Sequence, residues 1–282
     1  MSVDKKAEVE KIANSCRVAV EHVARGTFPV LDHTWMPLNR FFIVLENPGG
    51  RGNYIESAGE HYELQVGRIY FTPSYLPTVF SLDERLLFLS IQARIEFVAG
   101  VDLFSGCKRI FTVDWPEIVR LAERIFTEPD PQAASVFVLA VIWSLTARCL
   151  TMMAPNEWQF FSRLHTYREV LAFIERNCRA GVRVEQMAGV MHMSRENFTR
   201  KFTADVGLSP KAFFNQYLVR RAMDLLKEEV YSVREVAFQL NFNNEYYFSR
   251  FFKTHTGVTP GWFRKHRHKA GIPTDHPVEQ GL

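Results

Sequence analysis

Cysteine is scarce and scattered in this chain. Cys16, Cys107, Cys149 and Cys178 stand far apart and form no C-x-x-C pair, which argues against a disulfide scaffold or a thiolate metal centre and for reduced thiols. Nowhere is there an uninterrupted run of the ~20 apolar residues that a bilayer span needs. The opening residues, MSVDKKAEVEKIANSC, are charged and hold no apolar core, so no secretory signal is expected. Metal-ligand sets are also missing. His22, His33 and His61 are isolated, and His61 with Glu63 would share a strand face without the remaining ligands. The expectation is a cytoplasmic protein with no membrane segment, no metal, no cofactor and no catalytic residues.

The 282 residues suffice for two domains, and 47% hydrophobic with 23% charged residues is a globular composition. The net charge of +3 conceals an asymmetry. Residues 160–269 hold 19 Lys/Arg against 10 Asp/Glu, and the remainder holds 15 against 21. A basic C-terminal part on an acidic N-terminal part fits a nucleic-acid-binding module joined to something else.

Residues 17–112 read as strands. RFFIVLE (40–46), HYELQVG (61–67), RIYFTP (68–73), TVFSL (78–82) and RLLFLSIQARIEF (85–97) are separated by turn-formers such as NPGGRGN (47–53). Short strands with no intervening helical period predict an antiparallel sandwich or small barrel. From Asp114 the period changes. WPEIVRLAERIF (115–126) puts Ile118, Leu121, Ala122, Ile125 and Phe126 on one helical face, and PQAASVFVLAVIWSLTARCLTMM (131–153) is a long apolar helix. One side of it packs internally, and the other is either a subunit contact or buried within the monomer. APNEWQ (154–159) reads as linker.

The C-terminal part contains one object twice. FTRKFTADVGLSP (198–210) returns as FSRFFKTHTGVTP (248–260), with Phe198/Phe248, Arg200/Arg250, Phe202/Phe252, Gly207/Gly257 and Pro210/Pro260 in register. Upstream, VEQMAGVMHMSRENF (184–198) lines up with VREVAFQLNFNNEYYF (233–248), the second copy one residue longer. Each copy is a helix with a small inner Ala (Ala188, Ala237), a tight turn, a cap at Ser194 or Asn243, and a second helix, which is helix-turn-helix grammar. The turn needs a residue that tolerates positive φ, and His192 and Asn241 are of the tolerant types. Ser209-Pro210 and Thr259-Pro260 put a capping hydroxyl before a helix-starting proline, and Ser232 with Glu235 forms a capping box.

Outward on the second helices stand Arg195, Glu196, Thr199 and Arg200, then Asn244, Glu245, Tyr246, Ser249 and Arg250. Side chains of this kind reach base edges in a major groove, and Arg200 and Arg250 suit bidentate contact with guanine. Between the copies, SPKAFFNQYLVRRAMDLLKEE (209–229) is amphipathic throughout. Twenty helical residues span ~30 Å, close to the ~34 Å repeat of B-DNA, so this connector would hold two heads in successive grooves. Arg220 and Arg221 fit phosphates or internal pairing.

RRAMDLL…VREVAFQLNFNNEYYFSRFFKTHTGVTPGWFRKHR resembles the signature of AraC/XylS-type transcription regulators over roughly the last hundred residues. That family usually has Gly at the position of Asn241 and often Ser at that of Tyr246. The resemblance implies tandem helix-turn-helices and specific binding to double-stranded promoter DNA. A homodimer and RNA polymerase are the further partners expected, and activator and repressor both stay open, with activator the working expectation. The N-terminal half resembles the family's cupin-like effector domains. HYELQVGRIYFTP is similar to their G-D-x(5)-P turn, with Arg68 where Asp is common. Inward polar and aromatic residues then become candidates for a small-molecule effector, a sugar among the options: His33, Trp35, Arg40, Tyr54, Tyr70 and Gln92. The fold class expected is α+β: a cupin-like β domain (1–113), a helical dimerisation segment (114–153), a linker (154–163), two helix-turn-helix motifs joined by a long helix (164–268), and a tail (269–282). Two rival readings remain: a ligand-independent dimeric regulator, and a cupin enzyme with a DNA-binding appendage.

Overall fold

The computed structural model describes residues 16–27, 30–34, 38–50, 52–98, 101–154, 157, 163–164, 166–228 and 230–266. Trp35, most of the expected linker and the tail lie outside the described residues. The chain divides into two compact units. One comprises Cys16–Ile95 with Cys107–Met153, and the other Glu96–Gly106 with the described residues of 154–269. This grouping differs from the expected domain bounds at two places. The two helices after Asp114 group with the strands, and the segment 96–106 groups with the C-terminal helices.

Ten strands run in order: β1 (Arg17–Gly26), β2 (Val30–Thr34), β3 (Asn39–Glu46), β4 (Tyr54–Ser57), β5 (Glu60–Glu63), β6 (Arg68–Thr72), β7 (Thr78–Leu82), β8 (Leu87–Val98), β9 (Val101–Asp102) and β10 (Phe111–Asp114). One sheet has the order β1-β8-β3-β6-β10 with β9 on β8, and the other β2-β7-β4-β5. The strand pairs are antiparallel. HYELQVG is strand only to Glu63, because Gly67 at φ 79° turns the chain into β6.

The core between the sheets joins Phe42, Val44, Tyr70 and Phe88 of the first to Ile55, Phe80 and Leu82 of the second. Phe42 stacks on Phe88 at 4.6 Å and meets Phe80 across the sandwich at 5.6 Å. Alternation puts Phe41 and Ile43 on the opposite face of β3, yet they too are buried. That strand is therefore covered on both sides, which is why RFFIVLE reads as a continuous apolar run. Arg68, where the resemblance expects Asp, bonds Asp114 through Nε and Nη2 at 2.8 and 3.0 Å and links the ends of β6 and β10.

Helix α1 (Pro116–Thr127) and helix α2 (Pro131–Thr151) follow. Asp130 caps α2 by accepting from the Gln132 and Ala133 amides, and Pro131 starts it. Arg124 of α1 lies over the Phe137 ring of α2 at 4.5 Å. The α2 helix is long and apolar enough to cross a membrane by length and composition alone. Here it buries Val138, Val141, Ile142, Leu145, Thr146 and Cys149. Val136, Leu139 and Trp143 stay exposed, three and four residues apart, on another face.

The C-terminal unit holds α3 (Arg168–Arg176), α4 (Val184–Val190), α5 (Arg195–Val206), α6 (Pro210–Lys227), α7 (Val233–Gln239), α8 (Glu245–Thr256) and α9 (Pro260–His266). Ten of the eighteen residues of α6 are buried, so the connector is the central core helix rather than an exposed bar. At 1.5 Å per residue it spans about 27 Å, shorter than the 209–229 reading implied. The chain leaves it at Glu228, whose ψ of 120° is extended. Aromatics tie the first motif to it: Tyr167 packs on Phe202 at 4.8 Å, Phe202 on Phe213 at 5.4 Å, and Phe213 on Tyr217 at 5.4 Å. The Tyr167 hydroxyl donates to Asp205 at 2.6 Å. Burial together with this carboxylate pushes the phenol well above its usual range. Arg220 of α6 stacks over Tyr217 at 4.6 Å and pairs with Glu96 at 3.1 Å, which selects internal pairing over phosphate contact.

Candidate nucleic-acid interface

Each motif begins with a short helix that crosses its partner at a buried alanine. Ala188 and Ala237 are 1% and 0% exposed, and a larger side chain there would force the helices apart. The turns are superimposable in their bonding. The Met193 amide donates to the Ala188 carbonyl at 3.0 Å, and the Phe242 amide to that of Ala237 at 2.9 Å. Both turn residues adopt the expected left-handed backbone, His192 at φ 53° and Asn241 at φ 59°. Asn241 has a further role that Gly could not perform. Its Nδ2 donates to the Ala180 carbonyl at 3.1 Å, while the Ala180 amide donates to the Leu240 carbonyl at 2.7 Å. The second turn is thereby tied to the loop that precedes the first motif.

The second helices are capped by Ser194, accepting from the Asn197 amide, and by Asn244, accepting from the Tyr247 amide at 3.0 Å. The cap is Asn244 and not Asn243, because the extra residue of the second copy falls before the cap. Asn244 therefore spends its side-chain oxygen on its own helix while remaining exposed. Both helices end at left-handed glycines, Gly207 and Gly257, each at φ 77°.

With 100° per residue, the core face of α5 is set by Phe198 and Phe202, and that of α8 by Phe248 and Phe252. Opposite them lie Glu196, Arg200 and Thr203 on α5, and Tyr246, Arg250 and Lys253 on α8, all exposed. Thr199 and Ser249 flank these rows and are half-buried. Thr203 and Lys253, like Asn197 and Tyr247, are absent from the sequence-derived set. The fifty-residue offset pairs them and was the signal that could have found them.

Two arginines already have protein partners. Arg200 Nη2 donates to Asn197 Oδ1 at 3.0 Å, which orients the guanidinium along the exposed face. Arg195 pairs with Glu185 of α4 at 3.0 Å. The equivalents of Glu185 and Arg195 in the second motif are Arg234 and Glu245, so the charges are exchanged between the helices. Arg234 lies over the Phe238 ring at 5.7 Å. The capping box at Ser232 closes as expected, and the bonds it gives Glu235 hold that carboxyl below its usual range.

The effector candidates do not come together as one set. Arg40 lines a small pocket with Thr72 and Gln92, and the register sets the three side by side on β6, β3 and β8. Leu38, Leu76 and Phe80 complete it, with the Arg40 guanidinium 4.8 Å from the Phe80 ring centre. The free interior is about 10 Å³, room for roughly one water. Thr72 Oγ1 is buried, and among the described residues it has no hydrogen-bond partner. Tyr70 is a core residue instead. Its hydroxyl donates to the Glu63 carbonyl and accepts from the Gln65 amide, and burial pushes its phenol up. Tyr54 stacks on His61 at 4.7 Å, and His61 Nδ1 lies 2.8 Å from Glu56. His33 sits on β2 opposite Val79, and its side chain lies outside the described residues, as does Trp35. Among the described residues, no group of three or more His, Cys, Asp or Glu is placed to hold a metal ion.

A family model described as a helix-turn-helix domain matches residues 187–266. Among curated relatives, the HTH-type transcriptional regulator MtrA of Neisseria gonorrhoeae is 39% identical over 82 residues, 29% of this chain and 27% of that protein. The uncharacterized HTH-type transcriptional regulator YfiF of Bacillus subtilis is 31% identical over 96 residues, 34% of this chain and 30% of its own length. The chain thus spans under a third of these relatives. Among solved structures, ToxT of Vibrio cholerae superposes with a TM-score of 0.58 at 10% identity, over 91% of this chain and 100% of its own. An unsaturated fatty acid bound form of ToxT gives 0.57 at 12% identity, over 91% and 96%. The α+β fold of a sheet domain followed by a helical domain is therefore shared along the chain.

The turn chemistry separates the two motifs by experiment. Asn241→Ala, losing its bond and keeping a Cβ at positive φ, is expected to cost about 1–2 kcal/mol in urea unfolding, and Asn241→Gly less. His192→Gly, with strain relieved, is expected to raise stability by up to ~1 kcal/mol.

Proposed function

We infer that the chain, whose residues 187–266 match a helix-turn-helix domain model, is a sequence-specific DNA-binding transcription regulator of the AraC/XylS type. The observation that carries this reading is the matched placement of Arg200 and Arg250, fifty residues apart, on the exposed faces of two equally built helices. Both helices belong to one compact unit, and residues 160–269 carry the chain's excess of Lys and Arg. Such an excess meets a phosphate backbone, and paired arginines meet guanine edges. Glu196, Thr199, Glu245 and Ser249 are further base-edge contacts on this reading, and Arg195 joins them when it exchanges Glu185 for DNA.

The N-terminal unit supports an effector-binding role. Thr72 Oγ1, Arg40 and Gln92 converge on one apolar-walled pocket and suit a small molecule rich in oxygen atoms, a carbohydrate among them. The pocket's small volume favours a second reading, in which this unit serves only assembly. In either case, self-association uses the exposed Val136, Leu139 and Trp143 face of α2.

Against a duplex selected from a random library, binding is expected to weaken steeply with added salt. Arg200→Ala and Arg250→Ala should each cost about 1–3 kcal/mol and relax preference at separate positions, read by fluorescence anisotropy. Unchanged affinity and preference in both variants would overturn the docking assignment. A thermal-shift screen against sugars and small acids is expected to yield a stabilising compound whose effect Arg40→Ala removes, and no hit at all selects the second reading. Leu139→Asp is expected to shift the protein to monomer in sedimentation velocity, since a charge cannot be buried unpaired in an apolar contact.

A further inference from the structure

Among the described residues of the helical unit, the first turn of α8 carries the largest aromatic exposure. Tyr246 and Tyr247 are 69% and 55% exposed, and their rings meet edge to face with centroids 5.9 Å apart. At the equivalent positions α5 has Glu196 and Asn197, which are short and polar. Two adjacent exposed tyrosines contribute nothing to the core of α8, which Phe248 and Phe252 supply. The backbone and the rings each have one local contact. Asn244 Oδ1 caps the helix on the Tyr247 amide at 3.0 Å, and each ring restricts the other.

We propose that Tyr246, braced by Tyr247, gives the second motif its specificity by packing on a thymine methyl group in the major groove. This rests on the DNA-binding reading above. Three observations select this partner. Tyr246 shares its helix face with Arg250 and Lys253, four and seven residues on, so the ring stands in a cationic row that suits a polyanion. It lies in the first turn, the part of a recognition helix that meets base edges. Its equivalent in the first motif is a carboxylate, which would select an amino group on cytosine and repel a methyl-bearing edge. A phenol ring offers apolar area with only two torsions to freeze, and the thymine C5 methyl is the apolar feature of the groove. The two heads thus differ in chemistry. The first reads by charge and hydrogen bonds. The second adds an apolar contact, with Arg250 fixing its neighbour.

The test replaces thymine by deoxyuridine, one position at a time, in a duplex recovered by selection from a random library with the full-length protein. Only the methyl group is lost. In the half-site lost with Arg250→Ala, one or two positions are expected to weaken binding about three- to fourfold, the worth of one buried methyl. Tyr246→Ala should erase that thymine preference and Tyr246→Phe should retain it, because the ring and not the hydroxyl makes the contact. Substitution in the half-site read by Arg200 should be without effect that depends on Tyr246. If wild type does not distinguish thymine from uracil in the second half-site, or if Tyr246→Ala keeps the distinction, the methyl contact is wrong while the DNA-binding reading stands. If the selection recovers no preferred sequence at all, both fall.

Discussion

The helical unit depends on the burial of α6. Phe213, Phe214, Tyr217, Leu218, Ala222, Leu225 and Leu226 are all nearly inaccessible, and they project around much of the helix. Each such aliphatic or aromatic side chain is worth on the order of 2 kcal/mol in transfer from water, so this one helix gathers much of the unit's hydrophobic free energy. Because α6 is core, the position of each motif along it is fixed by side-chain packing, with Phe202 against Phe213 on one side. An exposed connecting helix would be stiff only as far as its own hydrogen bonds made it. A buried one is stiff because its neighbours cannot move without opening cavities.

That rigid scaffold is built twice with the same parts and then given two different surfaces. The shared parts are backbone devices: an alanine at the crossing, a left-handed residue in the turn, a side-chain oxygen on the helix cap, a left-handed glycine at the exit. Apart from the buried alanines these devices are exposed, but they act through the backbone at the turn and the helix ends, and so leave the outer face of the second helix free to differ. The exchange of Glu185 and Arg195 for Arg234 and Glu245 follows the same logic. Opposite charges between the two helices are kept while the sign on the exposed helix is reversed. An exposed pair of this kind contributes at most about 1 kcal/mol to folding, so its sign is available to function.

Most of this architecture was legible in the sequence because repetition exposes it. The Phe, Gly and Pro kept at fixed offset in FTRKFTADVGLSP and FSRFFKTHTGVTP pack, exit and restart helices as read, while the arginines kept at the same offset stay exposed. The left-handed turn at His192 and Asn241 was legible from residue type alone. The second cap was not, since Asn243 and Asn244 have identical chemistry and only the bond to the Tyr247 amide tells them apart. Inward tyrosines were equally ambiguous. Period-2 alternation puts Tyr70 inside, but whether its hydroxyl waits for a ligand or closes a turn depends on the carbonyl of Glu63, seven residues away. The grouping of 96–106 with the helices had no local signal, because it rests on contacts between residues far apart in sequence, and Glu96 with Arg220 is one of them.

The N-terminal pocket obeys a different constraint from the helical faces. A surface that reads DNA can carry exposed arginines at little cost, because water solvates them until the duplex arrives. A polar cluster inside a sandwich has no such reserve. Among the described residues Thr72 Oγ1 is buried without a hydrogen-bond partner, and an unmet hydroxyl costs on the order of 1–3 kcal/mol. A ligand oxygen seated beside Arg40 and Gln92 would remove that cost and add charge-assisted bonds at the same point. With about 10 Å³ of free interior, a ligand larger than one water could be enclosed only if the walls move, Leu38, Leu76 and Phe80 among them. Binding there would therefore be coupled to repacking of the sandwich core, because a close-packed interior cannot admit new atoms at one place without shifting others.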